Sequence, residues 1–121
     1  MAQIRYLVRD VDAAVQFYVD LLGFTLKQQM GPPFAMVSRG DLTLWLTGPR
    51  SSAGRPMPDG RQPMPGGWNR LVVEVDDIAA KVAALKSKGV KFRSEVITGP
   101  GGKQIVLDDP SGNPVELFQP A

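Results

Sequence analysis

The sequence predicts an α+β fold made of two copies of one small unit, a strand and a helix followed by three strands. Two observations carry this. Gln3-Ile-Arg-Tyr-Leu-Val8-Arg-Asp10-Val-Asp-Ala-Ala-Val15 is echoed by Arg70-Leu-Val-Val-Glu-Val75-Asp-Asp77-Ile-Ala-Ala-Lys-Val82. Each copy then reaches a glycine, Gly23 or Gly89, followed by further strand-like runs. A repeated apolar run, aspartate and helical pattern is the mark of a duplicated structural unit. Either copy alone would have a thin core, and two packed together would bury more.

In the first copy, residues 3–8 are rich in Ile, Tyr, Leu and Val and read as a strand. Asp10 is a good N-cap, because its carboxylate can accept the free amide hydrogens of a first helical turn. Val11, Val15, Tyr18 and Leu22 recur at helical spacing, which predicts a helix over 11–22. Gly23 suits the left-handed position after its end. Strands are predicted over 24–29, 34–38 and 42–47, the last two joined by the tight turn Arg39-Gly40-Asp41.

In the second copy the same logic predicts a strand over 70–75 and Asp77 as the cap. It predicts a helix over 78–88 with Val82 and Leu85 inward, and strands over 92–97, 103–107 and 115–119. Thr98-Gly99-Pro100-Gly101-Gly102 reads as a flexible loop, and Pro110-Ser-Gly112-Asn as the last turn.

Between the copies lies a stretch, 48–67, with five prolines, five glycines and two Pro-Met-Pro segments. It is long for a connection inside a compact domain. Two readings stay open: a disordered linker, or an ordered arm contributing Met57, Met64 and Trp68 as apolar contacts. The predicted organisation is one domain over 1–121, with module one at 1–47, the linker at 48–67 and module two at 68–121.

Composition narrows the function. With 43% hydrophobic and 21% charged residues the chain is ordinary for a soluble globular protein. A net charge of +2 with scattered basic residues argues against a nucleic-acid partner. No apolar run approaches the roughly 20 residues that span a bilayer, so no membrane partner is expected. The chain enters its first strand pattern without a signal-peptide layout, and the default expectation is a cytoplasmic protein. There is no cysteine, which excludes disulfides and thiolate metal sites. There is no histidine, which removes Ser-His-Asp chemistry, the two-histidine iron triad and histidine zinc sites. Proton transfer would fall to carboxylates, lysine, tyrosine or water.

The order of elements resembles the vicinal oxygen chelate superfamily, the group of glyoxalase I, bleomycin-resistance proteins, fosfomycin-resistance enzymes and extradiol dioxygenases. The residues that carry the resemblance are Val8-x-Asp10, Phe17-Tyr18 and Leu22-Gly23-Phe24 in the first half. In the second they are Val75-Asp-Asp77, Gly89-Val-Lys-Phe92 and, above all, Asp109-Pro110-Ser-Gly112-Asn-Pro-Val-Glu116-Leu-Phe118. The resemblance covers everything but the linker. It implies two βαβββ modules whose sheets pair into an incomplete barrel with the site inside.

Metal-dependent relatives place one ligand on the first and one on the last strand of each module. The position seven residues before the capping aspartate is Gln3 in one copy and Arg70 in the other. The last-strand position is Glu116 and, aligning Gly40 with Gly112, Leu44. Leu44 has no donor atom, and Arg70 is a permanent cation that repels a divalent metal. Gln3 and Glu116 are the only oxygen ligands left, too few for magnesium or manganese, so no metal cofactor is expected. Arg70 instead replaces the metal's charge and needs a partner, for which Glu116 is well placed.

The pair has two open readings, a structural ion pair or a pocket floor that meets a polar or anionic ligand group. Trp68 is a candidate for stacking on a ligand, and Phe34, Met36 and Phe118 are candidate apolar walls. Strand alternation sets Trp45 on the face opposite Leu44, packing outward. The resemblance implies metal-independent binding of a small organic molecule by a homodimer, as in the bleomycin-resistance branch. Two alternatives stay open: a lyase, isomerase or epimerase with Arg70 as oxyanion partner and Glu116 as base, or an accessory protein with a dead site. A carboxylate held by an arginine is a poor base, which weighs against the enzyme.

Overall fold

The computed structural model describes residues 2–121. The chain divides into two compact units, one running through Gly66 and the other Gly67–Ala121. The first contains β1 (Ala2–Leu7), α1 (Val11–Gln16), β2 (Thr25–Gln29), β3 (Phe34–Arg39) and β4 (Leu42–Thr47). The second contains β5 (Leu71–Glu74), α2 (Ile78–Ser87), β6 (Ile97–Gly99), β7 (Gly102–Asp108) and β8 (Pro114–Pro120). Each is a βαβββ unit with a four-stranded mixed sheet, in the order β1-β4-β3-β2 or β5-β8-β7-β6. In both, the first strand pairs parallel to the last, and the later strands pair antiparallel. The parallel pair follows from the helical crossover, because only such a connection returns the chain in the same direction.

The two helix starts are built alike. Asp10 Oδ1 accepts the Ala13 amide at 3.1 Å and Asp77 Oδ1 accepts the Ala80 amide at 3.0 Å. In the second unit Gln119 Oε1, from β8, also accepts the Ile78 amide at 2.8 Å. Both helices end before a glycine with positive φ, Gly23 at 76° and Gly89 at 81°.

Each helix covers one face of its own sheet. In the first unit Val11, Ala14 and Tyr18 bury against Tyr6, Ala35, Val37, Leu44 and Leu46. In the second Ile78, Val82 and Leu85 bury against Leu71, Val73, Ile105, Leu107, Val115 and Leu117. Side chains alternate along a strand, so the residues between these point to the helix-free face. None of the helices among the described residues is long and apolar enough to cross a membrane.

Three local features depart from the sequence expectation. The first helix is α-helical only to Gln16 and continues as a π-helical turn, Phe17–Leu21. The wider turn lets the consecutive aromatics Phe17 and Tyr18 both enter the core, where they meet edge to face at 5.1 Å.

The strand predicted over 92–97 is only a bridge, Phe92 to Leu107. Ser94 Oγ takes the Val106 amide at 3.5 Å in place of a backbone carbonyl, which interrupts the ladder, and pairing resumes in β6.

The predicted loop at 98–102 is instead a tight hairpin. Thr98 pairs with Lys103 and Gly99 with Gly102, leaving Pro100 and Gly101 as the turn. A side chain at Gly102 would collide with the Gln119 carbonyl.

The segment after β4 carries local structure. A short 3-10 turn spans Ser52–Gly54, and Gln62 Nε2 donates to the Gly54 carbonyl at 2.7 Å. Gly54 is buried against the Gly48 and Pro49 carbonyls, too close for any Cβ.

Candidate functional site

On the helix-free face of the second sheet, β8 presents Glu116 and Phe118, and β5 presents Val72 opposite Glu116. Arg70 lies just before β5, not inside it. Its side chain reaches across so that Nε and Nη2 both meet Glu116 Oε1, at 3.0 and 2.9 Å. Nη1 donates a longer bond, 3.4 Å, to the Trp68 carbonyl. The Glu116 side chain is 12% exposed and that of Arg70 26%, so the pair is largely withdrawn from water but not sealed. Both contacts fall on Oε1. The carboxylate's other oxygen and part of the guanidinium can therefore face a ligand.

Trp68 is 69% exposed yet its ring is held. The Arg93 guanidinium stacks on it at 4.6 Å. Arg93 is fixed by three further contacts. Nε meets Asp108 Oδ1 at 2.6 Å, Nη1 the Gly67 carbonyl at 2.6 Å, and Nη2 the Gly112 carbonyl at 3.0 Å. Arg93 thus ties the entry of the unit to the turn before β8. The sequence reading missed it; its one visible signal was a lone Arg following Phe92 with an acidic pair, Asp108-Asp109, farther on.

That turn is rigid. Asp109 is buried, its Oδ1 accepts the amides of Ser111 and Asn113 at 2.8 and 2.9 Å, and Asn113 Nδ2 donates to Oδ2 at 3.1 Å. Gly112 adopts a φ of 82°, a conformation glycine takes without strain. The Asp-Pro-Ser-Gly-Asn segment therefore delivers Glu116 to its place through backbone geometry rather than through chemistry of its own.

On the first sheet the helix-free face carries Gln3, Arg5, Phe34, Met36, Thr43, Trp45 and Thr47, by the pairings Gln3–Thr43, Arg5–Trp45, Met36–Trp45 and Phe34–Thr47. Gln3, Phe34 and Met36 lie where the sequence reading put them. Leu44 does not. It pairs with Ile4 and Val37, is fully buried, and belongs to the core under α1. The residue that stands in the first unit as Glu116 does in the second is Trp45. Arg5 faces Trp45 across β1 and β4 as Val72 faces Glu116 across β5 and β8.

The glycine alignment fails by one residue because the last strands differ in register against the first: Arg5 pairs with Trp45, five residues after Gly40, whereas Val72 pairs with Glu116, four residues after Gly112. A one-residue slip moves a side chain to the other face. The expectation that Trp45 packs outward, away from the site face, is corrected with it.

Trp45 is clamped by its neighbours. The Arg5 guanidinium lies 4.9 Å from its ring centroid, and Phe34 meets it edge to face at 5.8 Å. Arg5 Nη1 also donates to Thr47 Oγ1 at 3.4 Å, and that hydroxyl donates to the Trp45 carbonyl at 3.3 Å.

The positions that the resemblance assigns to metal ligands are thus Gln3 and Trp45 in the first unit, and Arg70 and Glu116 in the second. An indole offers no metal donor, a guanidinium repels a cation, and the carboxylate is already held by that guanidinium. Neither pair fits a tightly held divalent metal, and the described residues contain no group of three or more Asp, Glu, His or Cys that would substitute. Two surface hollows are formed by other residues, one of about 230 Å³ lined by Arg9, Val11, Pro33 and Arg50, and an open one of about 520 Å³ lined by Lys86, Phe92 and Arg93.

The duplicated βαβββ unit and the closing Asp-Pro-Ser-Gly-Asn turn define a class. The chain belongs to the Glyoxalase/Bleomycin resistance protein/Dioxygenase superfamily, whose family model matches residues 1–117. Among curated proteins it is 32% identical over 119 residues to the protein YaeR of Escherichia coli (strain K12), which is described as uncharacterized; the match covers 96% of this chain and 92% of that one.

Among solved structures it is similar to a member of the same superfamily from Sphaerobacter thermophilus DSM 20745, with a TM-score of 0.77 and 28% identity over 98% of this chain and 95% of that one. It is also similar to TnmS3, an antibiotic binding protein from Streptomyces sp. CB03234. There the TM-score is 0.73 and the identity 28%, covering 100% of this chain and 96% of the other.

Proposed function

We propose that this protein binds a small organic molecule without a metal. Its recognition surface is the helix-free face of the second unit around Arg70, Glu116, Trp68 and Phe118. Gln3, Phe34 and Met36 form a second polar and apolar surface, on the first unit's own helix-free face. One observation carries the reading: at a position where metal-using relatives need a ligand, this chain has an arginine bonded to the carboxylate that would otherwise hold the metal. A fixed cation beside a partly engaged carboxylate serves recognition of a polar group better than proton abstraction. The likeness to an antibiotic binding protein supports binding over turnover.

The reading extends to a symmetric homodimer. Met57, Met64, Trp68, Val72 and Ile97 are large apolar side chains exposed on the single chain, which supports a partner surface. Sedimentation at micromolar concentration should show a dimer, and a monomer there contradicts this part.

The binding test is a thermal-shift and ligand-observed NMR screen of aromatic natural products and small metabolites against the native chain. At least one compound class should raise the melting temperature saturably and remain chemically unchanged. The Arg70→Met, Glu116→Leu double variant should fold and lose that shift. Turnover of the bound compound, or an undiminished shift in the folded double variant, sinks the reading.

A further inference from the structure

Trp45 Nε1 is the one buried side-chain nitrogen or oxygen among the described residues that has no hydrogen-bond partner. Leaving such a donor unmatched is costly, and native proteins rarely do so without a reason. The groups around the ring do not satisfy it. Arg5 is itself a donor and lies over the ring, and Thr47 Oγ1 is already engaged with Arg5 and the Trp45 carbonyl. An N–H···π contact with Phe34 would be second-order and does not replace an acceptor.

The same face carries an unbalanced charge. Arg5 makes one long hydrogen bond, to a hydroxyl, and has no carboxylate within ion-pair distance among the described residues. The face therefore holds a buried indole donor with no acceptor beside an exposed cation with no carboxylate.

We propose that Trp45 is a ligand-contacting residue whose Nε1–H donates to an oxygen of a small organic anion, with Arg5 supplying the countercharge. This rests on the small-molecule reading above and names its ligand class: a planar carboxylate or enolate whose apolar body packs on Phe34 and Met36. The donor is covered in the free structure, so the acceptor reaches it only when a neighbouring side chain moves. Arg5, held by a single 3.4 Å bond and its stack on the indole, has least to lose by moving. It exchanges the indole face for the incoming anion.

The test uses the full chain labelled with ¹⁵N at its two indoles, the Trp45 signal being assigned from a Trp45→Phe variant. The probes are benzoate and, as its uncharged counterpart, benzyl alcohol. Benzoate should move the Trp45 indole proton downfield saturably and leave Trp68 in place. Trp45→Phe should weaken benzoate about tenfold, and Arg5→Gln should abolish the preference for benzoate over benzyl alcohol. An unmoved Trp45 signal, equal affinity in Trp45→Phe, or a bound-water cross-peak at the indole that persists at saturation overturns the proposal. So does failure of benzoate to bind the native chain. In that case a hit in the broader screen keeps the binding reading alive, and its failure too removes both.

Discussion

Arg70 grips one oxygen of Glu116 with two nitrogens, at 3.0 and 2.9 Å, joining the start of the second unit to its last strand on the face without a helix. Arginine's planar fork suits this geometry and lysine's single ammonium does not. Because the pair is mostly shielded from water, removing one partner strands the other.

Glu116→Gln should therefore lower stability by about 1–3 kcal/mol, between the values for exposed and fully buried pairs. The Arg70→Met, Glu116→Leu double variant should recover much of that loss. Denaturant unfolding of Arg70→Met, Glu116→Leu and the double variant measures the coupling. Additive losses would mean that the pair is not a unit.

Arg93 should be a stability residue that also sets the Trp68 environment. Arg93→Lys keeps the charge but not the simultaneous contacts to Asp108, Gly67 and Gly112. A loss of about 1–3 kcal/mol is expected, the range for hydrogen bonds to charged groups. Trp68 should become more mobile, seen as lower fluorescence anisotropy in a Trp45→Phe background. An Arg93→Lys protein with native stability and unchanged anisotropy contradicts the assignment.

Asp109→Ala should be more damaging than its turn position suggests. It removes the acceptor of two buried amides, Ser111 and Asn113. About 2–4 kcal/mol is expected from the two stranded donors. Asp109→Asn, which keeps one carbonyl oxygen, should cost less. Thermal unfolding of both variants decides it, and equal losses would show that the charge matters more than the acceptor.

Metal titration offers an independent check. Neither Gln3 with Trp45 nor Arg70 with Glu116 makes a good donor pair, so zinc, nickel, manganese or iron should each leave the melting temperature unchanged. Elemental analysis of the purified chain should find no stoichiometric metal. About one metal per chain, lost on Glu116→Ala, contradicts this.

Much of the architecture was written in local pattern. Asp10 and Asp77 cap helices because a short carboxylate reaches the third amide onward, and Gly23 and Gly89 end them because a positive φ is needed there. These are interactions between near neighbours in the chain. The Arg70–Glu116 contact was also legible, since the duplicated pattern set the two residues on the first and last strands of one unit.

Register was another matter. The choice between Leu44 and Trp45 turned on the register of β4 against β1, and the glycine in each turn gave no sign of it. Because strand side chains alternate, that single residue exchanged a core leucine for the tryptophan on the open face. Arg93 was hidden for a related reason, since its partners lie at residues 67, 108 and 112, which only the folded second unit brings together. The sequence by itself determined the elements, their caps and their duplication, through forces acting over a few residues. The tertiary structure alone decided which side chains share a face, because a one-residue difference in strand register moves a side chain to the other side.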